Sequence, residues 1–300
     1  MEGARVDLVF VPRPTCVSTD TRHRSRSYPV YRHPADSSPP LKPFTPTVDR
    51  IRSYIEHHLE HPVNHVLIQH YRSGHDFISE HSDKTIDIVP GTKIVNVSFG
   101  AERLMILKPK RAKGFGVPGE DGEGSGAVTP AIESGTVTPA TPGDAQGRIG
   151  TPRSGPPPRA AQRIPLAHNS LFVLGLETNG KWLHSIRQDK RPDTIKTPAE
   201  LAYNGERISL TFRHIGTFLN NDETKIWGQG ATNKSKGLAQ ATINGDPILA
   251  QKLIDAFGEE NQSTDFDWRK VYGAGFDVLH FKSSTESEAV PVGATTVTAT

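Results

Sequence analysis

Two side chains that could bind a metal ion stand two residues apart in the segment EHSD. His81 and Asp83 would face the same way on a β-strand, because alternate residues of a strand lie on one face. An imidazole nitrogen and a carboxylate oxygen could then bind one ion. A third ligand from elsewhere would complete the two-histidine, one-carboxylate set that is typical of non-haem Fe(II). His-x-Asp alone is a weak motif, so this prediction depends on the residues downstream.

Later segments offer a third ligand and a site for an anion. His184, in KWLHSI, is the candidate ligand, and the alternative is an ordinary buried or surface histidine. Arg207, Thr211 and Arg213 follow in RISLTFR, where their even spacing predicts that all three share one face of a strand. Two guanidinium groups on an inward face are costly to bury unless they meet an anion. A dicarboxylate cosubstrate would provide one through bidentate pairing.

The elements that must position these residues are one helix and many short strands. In TPTVDRIRSYIEHHLEH, apolar residues recur every four positions at Ile51, Ile55 and Leu59, which predicts an amphipathic helix ended by Pro62. From Val63 the period changes to two. The predicted strands lie in VNHVLIQHY, DFISEHSDK, KIVNVSFG, RLMILKPK, RIPLAHNSLFVLGLE, KWLHSIRQD and RISLTFRHIGTF. This spacing predicts a mainly β fold of the α+β kind, as a sandwich or barrel.

Composition divides the chain into one β-rich domain with added segments. Residues 109–163 contain almost no large apolar side chains, so we predict a disordered insertion. It belongs in a loop of the domain, because strands resume directly after it. We predict a basic, partly irregular, lid-like segment over 1–46, the domain over 47–217, a C-terminal extension over 218–282 and a disordered tail over 283–300.

The N-terminal segment interleaves basic and aromatic residues, a composition that suits phosphates and unstacked bases. The candidates for nucleic-acid contact are Arg22, Arg24, Arg26, Tyr28, Tyr31 and Arg32. A solvated basic loop explains the same residues equally well.

Composition also limits the compartment and the partners of this 300-residue chain. Its formal net charge of +2 is too small to indicate nucleic-acid binding by itself. Cys16 is the only cysteine, which excludes an intrachain disulfide and fits a reducing compartment. No apolar run has transmembrane length. We therefore expect an intracellular protein, in the nucleus, the cytoplasm or both, with no membrane partner. The sequence does not indicate an oligomeric state.

His-x-Asp, the distal histidine and the Arg-x5-Arg strand together resemble the AlkB-like Fe(II)- and 2-oxoglutarate-dependent dioxygenases, especially their eukaryotic DNA-dealkylating branch. The resemblance covers roughly residues 63–108 and 163–215. The matching segments are VLIQHYRSG, EHSD, PGTKIVNVSFGAER, IPLAHNSL, KWLHS and RISLTFR.

The resemblance implies a double-stranded β-helix, or jelly roll, with flanking helices. It implies that Fe(II) and 2-oxoglutarate are the cofactors and O2 a cosubstrate. The iron ligands that it implies are His81, Asp83 and His184. The residues that it assigns to 2-oxoglutarate are Arg207, Thr211, Arg213, Tyr71 and Gln69, the last of which stands where the family usually has asparagine.

The activity that the resemblance implies is oxidative demethylation of a methylated DNA or RNA base, with release of formaldehyde. A base in a duplex would first have to be flipped out of the stack. Two alternatives stay open: the same chemistry on a protein side chain or small molecule, and a non-enzymatic interaction protein that keeps the fold. Lys84 and Thr85 stand where the family commonly has an acidic residue near the target base, which favours the first alternative.

Overall fold

The computed structural model describes residues 6–11, 27–34, 41–110 and 160–281. Most of the insertion predicted over 109–163 and the tail predicted over 283–300 lie outside the described residues.

The described chain consists mainly of strands. Numbered in chain order, they are β1 (Val6–Val11), β2 (Ser27–Pro29), β3 (Leu41–Pro43), β4 (His65–Tyr71), β5 (Ile78–His81), β6 (Lys93–Gly100), β7 (Arg103–Pro109), β8 (Gln162–Leu166), β9 (Ser170–Gly175), β10 (Trp182–Ile186), β11 (Arg207–Arg213), β12 (Thr217–Asn220), β13 (Lys225–Gly228), β14 (Gln240–Ala241), β15 (Ile243–Asn244) and β16 (Val278–His280). The helices are α1 (Pro46–Leu59), α2 (Leu176–Lys181), α3 (Pro198–Leu201), α4 (Pro247–Gln262) and α5 (Trp268–Tyr272). No helix among these residues is long and apolar enough to cross a membrane.

Two sheets form the jelly roll that the family resemblance implies. The larger has the strand order β3-β1-β4-β11-β6-β9, and the smaller has the order β5-β10-β7-β8. Their inner faces share an apolar cluster in which Tyr71 of β4 packs with Met105 and Leu107 of β7 and Ile186 of β10. The mainly β fold with flanking helices is therefore confirmed.

The larger sheet separates a hydrophobic core from the functional face. Leu210 and Phe212 of β11 pack against the apolar side of α1, where Ile55 is fully buried. Because strand residues alternate between faces, Arg207 and Arg213 point the opposite way, toward the smaller sheet. The alternation of apolar and polar residues in RISLTFR thus places one set in the core and the other around a cavity.

Segments predicted as additions to the domain are built into it. β1 pairs with β3 on one side and with β4 on the other, so residues 6–11 of the segment predicted over 1–46 form part of the larger sheet. A run of β-branched and aromatic residues explains this strand. β2 pairs with β12 in a third sheet, and α4 and α5 share a core with Ile86. The described residues all belong to one compact unit.

Candidate metal centre and active-site cavity

Adjacent strands bring two histidines together beside a carboxylate. His81 ends β5 and is the register partner of His184 on β10. Their ring centroids are 4.2 Å apart, and Nε2 of His81 lies 4.0 Å from Oδ1 of Asp83. One ligand atom from each of the three residues lies within 4.8 Å of the other two. The geometry is that of a single metal site.

The protonation of this cluster fits a divalent cation. Nδ1 of His81 lies 2.8 Å from the carbonyl oxygen of Ser79, so Nδ1–H donates there and Nε2 keeps its lone pair for a metal. Nδ1 of His184 is buried without a hydrogen-bond partner among the described residues. Burial lowers the pKa of His81, and burial together with the neighbouring His81 lowers the pKa of His184 to about 3. Both imidazoles are neutral near pH 7, as metal binding requires.

Asp83 is kept ionised by a buried arginine. Nε and Nη2 of Arg213 donate to Oδ2 of Asp83 at 3.0 and 2.9 Å, and Oδ1 stays on the side of His81. Burial raises the pKa of Asp83, but Arg213 and the two imidazoles outweigh burial and lower it to about 2. Arg213 lies 4.2 Å from the ring centre of Tyr31, and its Nη1 is buried without a partner among the described residues.

Arg207 has the features of a second anion site. Its side chain is fully buried, and Nη2 donates to Asn96 Oδ1 at 3.0 Å and to Ser98 Oγ at 2.8 Å. Nε and Nη1 lack a hydrogen-bond partner among the residues that the structure describes. Burial lowers the pKa of Arg207 to about 10, although the electrostatic interaction and the hydrogen bond with the Tyr71 side chain oppose this. An incompletely paired buried guanidinium indicates a site for an anion such as a carboxylate.

A polar network extends from Arg207 across the sheet to Thr211. Nδ2 of Asn96 donates to Ser209 Oγ at 2.7 Å and to Thr211 Oγ1 at 3.0 Å, while its Oδ1 accepts from Arg207. Asn96, Ser98 and Ser209 were not among the site residues predicted from the sequence. The signal was present in KIVNVSFG, where Asn96 and Ser98 alternate with buried valines.

A cavity of about 1140 Å³ is lined by the metal cluster together with Arg213, Asn96 and Ser209. Gln69, Tyr71 and Thr211 lie on its wall with the metal cluster, as the strand register requires. Gln69 and Tyr71 are almost fully buried. The C-terminal part of the chain supplies a further wall, which includes Phe257 and Asn261 of α4. The cavity therefore has a polar end at the metal cluster and a wall from α4.

The structure corrects the predicted role of Arg32. This side chain is buried and forms a salt bridge with Asp87, at 2.7 Å between Nη2 and Oδ1. Its other donors meet the carbonyl oxygens of Gly230, Phe276 and Val278. The prediction that Arg32 contacts phosphates is therefore wrong, because its guanidinium donors are bonded to acceptors inside the protein.

The other predicted substrate residues have different positions. The hydroxyl of Tyr31 accepts a hydrogen bond from the backbone N–H of Lys84, and one ring face is occupied by Arg213. Tyr31 thus supports the metal site from the cavity wall, and its stacking on a base stays a prediction. Tyr28 lines the cavity and donates to Glu223. Arg22, Arg24 and Arg26 lie outside the described residues.

Comparisons with known proteins agree with this site. Residues 6–213 match the sequence model of the 2OG-Fe(II) oxygenase superfamily. The DNA oxidative demethylase ALKBH2 of Homo sapiens is 29% identical over 174 residues, which are 58% of this chain and 48% of the relative. The protein of the same name from Arabidopsis thaliana is 27% identical over 215 residues, which are 68% of this chain and 53% of the relative. The chain spans about half the length of the curated relatives that it matches.

Proposed function

Because this chain belongs to the 2OG-Fe(II) oxygenase superfamily and is an AlkB-like member of it, we propose that it oxidatively dealkylates methylated nucleic-acid bases. One observation carries the proposal: the cavity holds a histidine–aspartate–histidine cluster, and an incompletely paired arginine is buried behind its wall. These are the two anchors that a metal ion and a dicarboxylate cosubstrate need.

The residues have separate tasks in this reaction. His81, Asp83 and His184 would hold Fe(II), and Arg207 would pair with a carboxylate of 2-oxoglutarate. With both groups bound, the centre would supply the oxidation: O2 would hydroxylate a substrate carbon, and 2-oxoglutarate would be converted to succinate and CO2. On an N-methyl group, the hydroxylated carbon leaves as formaldehyde and the amine is restored.

The surrounding side chains keep the charge of the centre fixed. Arg213 holds the carboxylate of Asp83 ionised from the side away from His81. Tyr31 covers Arg213, so the pair is shielded from water on that side. This shielding keeps the electrostatic interaction strong, because it removes the competing solvent. The protein thus orients the reactants and excludes water, while the cofactor supplies the oxidation.

DNA is the substrate that we favour, since the relatives named above are DNA oxidative demethylases. A second candidate is the same chemistry on a protein side chain or small molecule. Lys84 favours this candidate, because it places a buried ammonium group on the cavity wall where the family commonly has an acidic residue near the target base. The candidate is also favoured by α4, which lies outside the matched residues 6–213 and contributes to that wall.

Formaldehyde and succinate release distinguishes these candidates. The full chain with Fe(II), 2-oxoglutarate and O2 should release both products from methylated DNA oligonucleotides. The matched control is Asp83→Asn, which should release neither. Methylated RNA oligonucleotides and methylated histone peptides are tested in parallel. Formaldehyde from peptides alone would overturn the nucleic-acid assignment, and the absence of succinate under every condition would overturn the oxygenase assignment.

A further inference from the structure

Residues 82–85, which follow β5 and are called the turn here, carry Asp83 and are held on one side by a buried asparagine. Oδ1 of Asn179 accepts the backbone N–H of Asp83 at 2.9 Å, and its Nδ2 donates to the carbonyl oxygen of Asp83 at 2.9 Å. Asn179 lies in α2, just before the strand that carries His184. This contact connects two ligands of the metal cluster within the segment that the family model matches.

The other side of the turn is fastened by the end of α4, which lies beyond the matched residues 6–213. Oδ1 of Asn261 accepts the backbone N–H of Ser82 at 2.8 Å and the ammonium group of Lys84 at 3.1 Å. The hydroxyl of Ser82 also donates to this oxygen, at 3.3 Å. One amide oxygen therefore collects donors from both neighbours of Asp83.

The end of α4 is fixed independently of Asn261. The carboxylate of Glu260 accepts from the backbone N–H of Thr85 at 3.0 Å and from the hydroxyl of Tyr272 at 2.6 Å. The carbonyl oxygen of Glu260 accepts from Lys110 at 2.6 Å. Removing the Asn261 amide should therefore leave the helix in place and release only the turn.

We propose that Asn261 is a positioning residue of the metal centre. It holds Ser82 and Lys84, and thereby fixes the direction in which the Asp83 carboxylate meets the two imidazoles. Without it, the Ser82 N–H and the Lys84 ammonium group would lose their shared acceptor. Asp83 would still be held by Asn179 and Arg213, and Thr85 by Glu260. This inference rests on the metal site of the proposed function and not on the identity of the substrate.

Metal binding to the full chain tests the inference without turnover. Co(II) is titrated into the metal-free protein, and its visible absorption reports both the affinity and the coordination geometry. Asn261→Ala should raise the Kd for Co(II) by about 10–100-fold, the usual effect of removing a group that orients a metal ligand. Asn261→Asp keeps an acceptor oxygen at the same place and should bind at least as tightly as wild type.

Two further variants make the result decisive. Gln262→Ala removes an exposed amide at the next position of the same helix and should change neither Kd nor spectrum. Asn261→Gln retains the amide but displaces it by one methylene, so it should raise the Kd while the unfolding free energy stays near wild type. If Asn261→Ala does not fold, the glutamine variant provides the answer.

The outcomes separate the two proposals. A wild-type Kd and spectrum in Asn261→Gln, or in folded Asn261→Ala, would overturn the positioning role and leave the metal site standing. Failure of wild-type protein to bind Co(II) would overturn the metal assignment and this inference with it.

Discussion

Replacing Arg207 by methionine should separate cosubstrate binding from folding. The Arg207 guanidinium is fully buried, and only its Nη2 has hydrogen-bond partners among the described residues. Methionine has a similar length and carries no charge. Replacing a buried, incompletely paired charge by an apolar residue of similar size is often neutral or stabilising. We therefore expect the unfolding free energy of the metal-free protein to stay within about 1 kcal/mol of wild type.

The loss of 2-oxoglutarate affinity should be large by comparison. Nε and Nη1 of Arg207 can each donate one hydrogen bond to a bound carboxylate. A hydrogen bond to a charged group contributes about 1.5–3 kcal/mol, so the two together contribute about 3–6 kcal/mol. At about 1.4 kcal/mol per factor of ten, the Kd for 2-oxoglutarate should rise by about 10²- to 10⁴-fold.

Arg103→Met is the matched control, because Arg103 is also buried near the Tyr71 ring. Unlike Arg207, it donates to four backbone carbonyl oxygens, those of Ser73, Gly74, Asp76 and Arg187. Its removal deprives these carbonyl oxygens of a buried charged donor, so the variant should lose about 1–3 kcal/mol or more of stability. Its affinity for 2-oxoglutarate should remain near wild type.

Calorimetric titration of 2-oxoglutarate into Mn(II)-loaded protein measures the affinity, and urea unfolding of the metal-free protein measures stability. We expect Arg207→Met to lose affinity for 2-oxoglutarate but not stability, and Arg103→Met to lose stability but not this affinity. Near-wild-type affinity in folded Arg207→Met would refute the assignment of the buried guanidinium to the cosubstrate. Parallel losses of stability in both variants would show that Arg207 is a structural residue.

Other perturbations test the surroundings of the site. Asp83→Asn should abolish Co(II) binding in a folded protein, whereas Asp83→Ala should also lose about 3–5 kcal/mol of unfolding free energy, because Arg213 is left buried and unpaired. Arg32→Met should lose a similar amount of unfolding free energy, because it leaves the carboxylate of Asp87 buried without its ion-pair partner. Urea unfolding measures both losses. Replacing residues 112–158 by a short Gly/Ser linker should leave the melting temperature and the substrate-independent succinate production near wild type. A lost unfolding transition would contradict the last prediction.

The strand pattern of single segments was enough to predict the functional face. The two-residue period of a strand is enough to predict that alternate residues of RISLTFR share one face, and that His81 and Asp83 do too. His184 could be proposed as the third ligand, but its pairing with His81 is a property of the sheet. The sequence therefore predicts the face of the strand on which a residue lies better than it predicts which strands are neighbours in the sheet.

Contacts between distant segments escaped prediction. Asn261 lies 179 residues from Ser82, and nothing in DPILAQKLIDAFGEE indicates which turn the helix will meet. The prediction for Arg32 was wrong for the same reason. Its sequence segment interleaves basic and aromatic residues, and the acid that neutralises it, Asp87, follows 55 residues later. A charged residue can be assigned to solvent or interior only when its partner is known.

The connection between β7 and β8 divides the metal site between two parts of the chain. His81 and Asp83 precede it and His184 follows it, while β11 of the second part lies between β4 and β6 of the first. Neither part contains the strands of a complete larger sheet. If the backbone were cleaved between Lys110 and Ala160, the two fragments could regain a metal centre only by associating. The protein is thus a candidate for fragment complementation, in which metal binding would report the association of two separately expressed fragments.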